Sequence, residues 1–343
     1  MIFEPILDLF RGKAITIPPL DGALRANTAL DEAAVLAGLP APDNLVWQDG
    51  RLLCSSGAAV LAIEGSTRSQ VAEFPAEVTA LAAAPDGRLA VASDDGRLRE
   101  GGIDVPLPGG IGCVTALAYG PDGALWLANG SARHPASGWV VDLMEKGATG
   151  SVWRRAPGMG FAREAEGLAW PCGLLPDASG VTVSESWRHR LIRLEGGRVT
   201  PVLRHLPGYP ARLSPAPGGA WLAVFAPRNR LIEFVLQDVH YRRDMMAEVP
   251  REFWVAPALR SGQSFLEPLQ CGGIRMMGIH KAWSPSRSYG LVVRLGEGLA
   301  PLSSLHSRAN GRRHGVTSAI EVDGRLYVAA RGGDAVLTLA GDA

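Results

Sequence analysis

The chain has 343 residues, 47% hydrophobic and 20% charged, enough for one large all-β domain or two ordinary ones with a sizeable core. Its 34 basic and 34 acidic residues cancel and no basic block stands out, which excludes nucleic acid and anionic membrane as expected partners. The 42 glycines and 25 prolines point to many tight turns between short strands.

The N-terminal stretch MIFEPILDLFRGKAITIPPLDG carries acidic residues where a secretory signal has its basic region. No apolar run approaches the roughly 20 residues of a membrane span, so a cytoplasmic protein with no membrane partner is expected. Then a pattern begins to repeat. Asp43 to Ser56 reads DNLVWQDGRLLCSS, Val78 to Ser93 reads VTALAAAPDGRLAVAS, and Val114 to Asn129 reads VTALAYGPDGALWLAN. Each is an alternating apolar run, a turn ending in Asp-Gly, and a second apolar run, which predicts a hairpin of half-buried strands. A hairpin recurring every 35–50 residues or so is the signature of propeller blades.

Six blade-like units follow from this spacing, starting near Pro42, Glu77, Cys113, Glu166, Gly208 and His314. In the fourth, GLLPDASGVTVSES is the hairpin and RHRLIRL the next strand; in the fifth, LSPAPGGAWLAVF is followed by RNRLIEFVL, read as a strand. Residues 240–290 break the rhythm with a helix-like stretch over 241–254 and a segment rich in Pro, Ser and Gly. The pattern predicts an insertion in blade five that covers one mouth of the channel, with LVVRL and LAPLSSL completing the blade. The last unit, VTSAIEVDGRLYVAAR from Val316 to Arg331, leaves room for three strands before Ala343. A raw edge would remain, so residues 30–39 are expected to supply the fourth strand, making a single propeller domain over 1–343.

Cys54, Cys113, Cys172 and Cys271 are far apart and form no CxxC pair, which predicts free, buried thiols rather than disulfides or a zinc site. The inner strands of a propeller face its channel, so residues at their starts are the first site candidates: Asp43, Asn44, Glu166, Arg212, His314 and Thr317. The loop HSRANGRRHGVTS adds His306 and Arg308, with Arg312 and Arg313 beside them: imidazoles for acid–base work and guanidiniums that clamp a carboxylate or phosphate. His280, Lys281, Trp283 and Tyr289 could line a pocket from the insertion side.

The segments WPCGLLPD, VTVSESWRHRLIRL, LPGYPARLSPAPGGAWLAV and VTSAIEVDGRLYVAA resemble the strictosidine synthase-like branch of the SMP-30–gluconolactonase–paraoxonase superfamily of six-bladed propellers. The resemblance covers about two thirds of the chain and implies a six-bladed fold. It also implies two losses. The glutamate of the plant Pictet–Spengler synthases falls at Thr317, which cannot relay protons near neutral pH, so a true strictosidine synthase is not expected. The oxygen ligands that hold calcium in the metal-dependent relatives fall at Asp43, Thr115, Cys172 and Ala211. Calcium wants six to eight hard oxygens, so no cofactor is expected. The resemblance implies a hydrolase of a lactone or ester-like metabolite, with His314, His306, Thr317 and Glu166 as catalytic candidates. Arg308, Arg212, Asp43, Asn44, His280, Lys281, Trp283 and Tyr289 are the substrate-binding candidates. The alternative is a non-catalytic propeller that binds a small acid or sugar acid, as monomer or homodimer.

Overall fold

The computed structural model describes residues 17–65, 67–262, 264, 266–267 and 287–340, and the backbone of 275–276 and 279–280. Six four-stranded antiparallel sheets form the blades. Blade one is Pro42–Gln48, Arg51–Ser56, Ala59–Glu64 and Thr67–Glu73, each pairing with the next. Blade two is Val78–Ala83, Leu89–Ser93, Leu98–Glu100 and Ile103–Val105. Blade three is Val114–Tyr119, Leu125–Asn129, Gly150–Arg155 and Ala162–Leu168. Blade four is Pro171–Pro176, Val181–Glu185, Arg190–Glu195 and Arg198–Leu203. Blade five is Gly208–Ala216, Gly219–Pro227, Gly290–Gly296 and Pro301–Ser307.

Blade six closes the ring. Val316–Val322, Arg325–Ala330 and Ala335–Ala340 come from the C-terminal end, and Ala34–Gly38 pairs antiparallel with the last of them. Residues 34–38 and 316–340 thus share one sheet, and the edge expected from the three-strand count is covered as the sequence required.

The recurring Asp-Gly turns are of two kinds. At Asp49–Gly50 and Asp323–Gly324 both residues have positive φ (49° and 74°; 50° and 69°), as a tight type I′ hairpin demands. At Asp86–Gly87 and Asp122–Gly123 only the glycine does, and the aspartate side chain accepts instead from the N–H of Arg88 and of Ala124, both at 3.1 Å.

The hairpins are more buried than alternation alone predicts. Leu125–Asn129 and Val181–Glu185 are buried at every position. Each blade packs face to face on its neighbours, so its second strand is covered on both sides, and even the polar Thr182, Ser184 and Glu185 are buried. One such layer joins Ala116, Trp126, Ala128 and Val152 of blade three to Leu174, Val181, Val183 and Ile192 of blade four.

One expected strand is a helix. Arg230–Gln237, the RLIEFVLQ read as a strand of blade five, is α-helical, followed by a second helix over Val239–Glu248. Asn229 caps the first by accepting from Leu231 N, and Ile232 and Val235 share its buried face at helical spacing. The blade-five insertion therefore begins right after Pro227 and runs to Gly290. Blade three carries an excursion that the sequence reading missed, over 130–149, with a short helix at Trp139–Met144.

Candidate functional site

Every inner strand carries a β-bulge close to its start, and the register names the residues it skips. Single residues are passed over between Val78 and Ala80, Val114 and Ala116, Pro171 and Gly173, and Val316 and Ser318. Two are passed over between Pro42 and Leu45, and two between Pro210 and Leu213. The skipped residues are Asp43 and Asn44, Thr79, Thr115, Cys172, Ala211 and Arg212, and Thr317. A bulge re-aims a side chain out of the pleat, and here each blade contributes to one ring. All of these except Asn44 line a cavity of about 220 Å³. That is below the roughly 300–1,000 Å³ of drug-sized sites, so the cavity suits a small ligand.

The two double bulges supply the charges. Arg212 Nη1 donates to Asp43 Oδ1 at 2.6 Å and Nη2 to the Thr79 carbonyl at 2.7 Å, with longer bonds to the carbonyls of Thr115 and Thr317 at 3.4 Å. The other Asp43 oxygen accepts from Arg331 Nη1 at 2.8 Å, and Arg331 Nη2 donates to Glu77. Burial pushes the Asp43 carboxyl up, but the guanidiniums of Arg212 and Arg331 outweigh it and hold the group below its usual value of 3.8. Asp43 is thus a fixed charge and a poor base.

Above this ring the wall is aromatic and acidic. Trp139, Trp170 and Phe225 line it, with Trp139 packed edge-on to Phe225 at 5.4 Å. Asp94 lines it too, one oxygen accepting from Ser137 N at 3.0 Å. Leu259 of the blade-five insertion also lines the cavity. Arg251 of that insertion donates to the Ser137 carbonyl at 2.8 Å, tying the two excursions together. Among the described residues of the lining, Asp43, Glu77 and Asp94 face Arg212 and Arg331, one excess negative charge.

Several sequence candidates lie elsewhere. Glu166 is in the outermost strand of blade three, not at the start of blade four, and forms an exposed pair with Arg163 at 2.8 Å. Its neighbour Gly167 and the turn at Trp170 separate it from the inner strand that begins at Pro171. His306 ends the outer strand of blade five, fully buried between Tyr289 Oη at 3.1 Å and Ser304 Oγ at 2.7 Å. Burial lowers its pKa to about 4, which fits a core imidazole. His314 is buried against Ser288 Oγ and the Arg308 carbonyl, both at 2.8 Å, while the Arg308 residue is exposed. None of residues 306–314 lines the channel-mouth cavity; His314, Arg312 and Arg313 line a separate cleft with Arg260. That loop joins the outer strand of blade five, Pro301–Ser307, to the inner strand of blade six, Val316–Val322. Asn44 turns into the blade, where Nδ2 donates to Ser55 Oγ at 2.9 Å. The side chain of His280, and Lys281, Trp283 and Cys271, lie outside the described residues.

The calcium set implied by the resemblance does not fit an ion. It offers one carboxylate, already closed by two guanidiniums, with a hydroxyl, a thiol and a methyl. The Thr115 hydroxyl is spent on the Pro171 carbonyl at 2.5 Å. Burial pushes the Cys172 thiol up to about 11, so it is neither thiolate ligand nor nucleophile near neutrality. Among the described residues no cluster of three or more His, Cys, Asp or Glu is placed to hold a metal.

Fold and ring together define a six-bladed propeller with a small pocket, part charged and part aromatic, where its inner strands converge. The solved structures similar to it share that architecture. A gluconolactonase of Xanthomonas campestris matches at TM-score 0.52 and 16% identity, over 89% of this chain and 88% of that one. Regucalcin of Agrobacterium tumefaciens, described as a calcium-binding protein, matches at TM-score 0.54 and 16% identity, over 92% and 95%. The PQQ-bound aldose sugar dehydrogenase of Streptomyces coelicolor matches at TM-score 0.54 and 15% identity, over 90% and 96%. The chain therefore shares the six-bladed propeller fold of these proteins. No family model and no curated protein matches its sequence.

Proposed function

We propose that the channel-mouth pocket binds a small, neutral, hydroxylated lactone or ester and hydrolyses it without a metal. Arg331 carries this reading. Two of its five donors hold Asp43 and Glu77, and its side chain stays 25% exposed on the cavity wall, so donors remain for a substrate carbonyl. Asp94 is the base: among the described residues its carboxylate accepts from the Ser137 N–H and pairs with no arginine, whereas Asp43 and Glu77 are both tied to arginine. Asp94 takes a proton from water as the water oxygen bonds to the carbonyl carbon. Arg331 faces the oxyanion; the ring C–O bond then breaks, and the leaving oxygen takes the proton to give a hydroxy acid. The excess negative charge of the lining favours the neutral ester over its acid product.

A second reading, ligand binding with no turnover, is favoured by two observations: among the described residues no histidine lines the cavity, and the Asp43 carboxylate is pinned in the ionised form. The experiment is a panel of sugar lactones and small esters assayed in chelator with wild type, Asp94→Asn and Arg331→Met. Hydrolysis lost by 100-fold or so in the variants supports the first reading. Binding with no hydrolysis selects the second. Equal activity in all three proteins refutes the assignment of Asp94 and Arg331.

A further inference from the structure

We infer that Arg212 is the built-in cation of this propeller, holding the inner strands together at the place where a bound metal ion would otherwise be needed. Its guanidinium starts in blade five and reaches Asp43 of blade one and the carbonyls of Thr79, Thr115 and Thr317 in blades two, three and six. Only a group near the axis can touch five inner strands at once. Those partners are an ionised carboxylate and three carbonyl oxygens, the ligand types a hard cation selects. A planar guanidinium with several fixed donors satisfies them in the same way, and its charge cannot be titrated off.

The site is also closed to a competing ion. The Arg212 side chain is 16% exposed and that of Asp43 6%, so a divalent cation would have to share a desolvated space with a permanent positive charge. A further oxygen of the same ring, Thr79 Oγ1, is buried without a hydrogen-bond partner among the described residues. With the Arg212 side chain removed, the ring keeps one carboxylate, three carbonyls and this spare hydroxyl around a hole. Such a hole should take a small cation from solution.

The test reads stability and metal content, and does not depend on whether the pocket is an enzyme. Wild type is analysed for metals and melted with chelator and with calcium; no bound metal and no shift are expected. Arg212→Ala should melt several degrees lower and regain at least half of the loss in millimolar guanidinium or calcium, but not in equal urea or sodium chloride. Arg212→Lys, which keeps the charge on a single nitrogen, should fall between the two. The inference is overturned by stoichiometric metal in wild type, or by a chelator-sensitive melt. It is equally overturned by an Arg212→Lys as stable as wild type, or by a loss in Arg212→Ala that no cation restores.

Discussion

Asp43→Asn removes the node on which both arginines depend. The Asp43 side chain is 6% exposed and makes charged hydrogen bonds of 2.6 and 2.8 Å to Arg212 and Arg331. Breaking a buried pair by neutralising one partner costs about 3–5 kcal/mol, because the other charges stay buried. Unfolding entropy of roughly 2.1 cal/mol/K per residue, over 343 residues, makes 1 kcal/mol worth about 1.4 °C. The variant should therefore melt about 4–7 °C below wild type at neutral pH. The pH dependence follows from the depressed carboxyl. A group whose folded pKa lies below its unfolded value stabilises fully above that unfolded value, and loses the effect as pH falls through the folded one. Asp43 is lowered from 3.8, so the gap between wild type and variant should hold from neutrality to about pH 4 and narrow below it. Thermal melts by circular dichroism across that range check both parts. A variant within about 1 °C of wild type, or a gap that stays constant into acid, would refute the reasoning.

Other predictions follow from the same geometry. His306, with its pKa lowered to about 4, refuses a proton that the unfolded chain takes near 6.5, so stability should fall as pH drops through that interval, by up to about 3 kcal/mol; an NMR titration that protonates the ring near pH 6 contradicts this. Gly332→Ala would drive its Cβ into the Leu259 carbonyl and should lift the blade-five insertion off blade six, weakening ligand binding at the cavity Leu259 lines; calorimetry with unchanged affinity and an unchanged melt counts against it. The Cys172 thiol, raised to about 11 by burial, should resist iodoacetamide at neutral pH; rapid labelling of its peptide by mass spectrometry would mean an exposed thiolate.

Much of the scaffold is written in the chain because a blade is local. The VTAL…DG hairpins of blades two and three, and the three-strand shortfall at blade six, were readable from periodicity and turn residues alone. RLIEFVLQ misled because it is a short apolar run after a hairpin, although Leu231, Ile232, Val235 and Leu236 fall at helical spacing and Asn229 caps the helix. The ring was half visible. Asp43, Arg212 and Thr317 come from the starts of inner strands, and Thr79 had a signal in the shared Val-Thr of three repeats. Arg331, Glu77 and Asp94 sit at the ends of hairpins, where nothing in composition marks them; they meet only once the blades close. His306 and His314 were conspicuous for their residue type, but a polar loop between blades need not face the axis, and both are spent on hydroxyls and a carbonyl in the core.

The central claim is that the channel mouth is a metal-independent small-molecule site organised by Arg331 and Asp94. The most direct measurement is isothermal titration of chelator-treated protein with a sugar lactone and with its ring-opened acid, in wild type and Arg331→Met. The account predicts that wild type binds the lactone more tightly than the acid and that Arg331→Met loses at least tenfold in affinity. Unchanged affinity in Arg331→Met, or binding that appears only when calcium is restored, would contradict it.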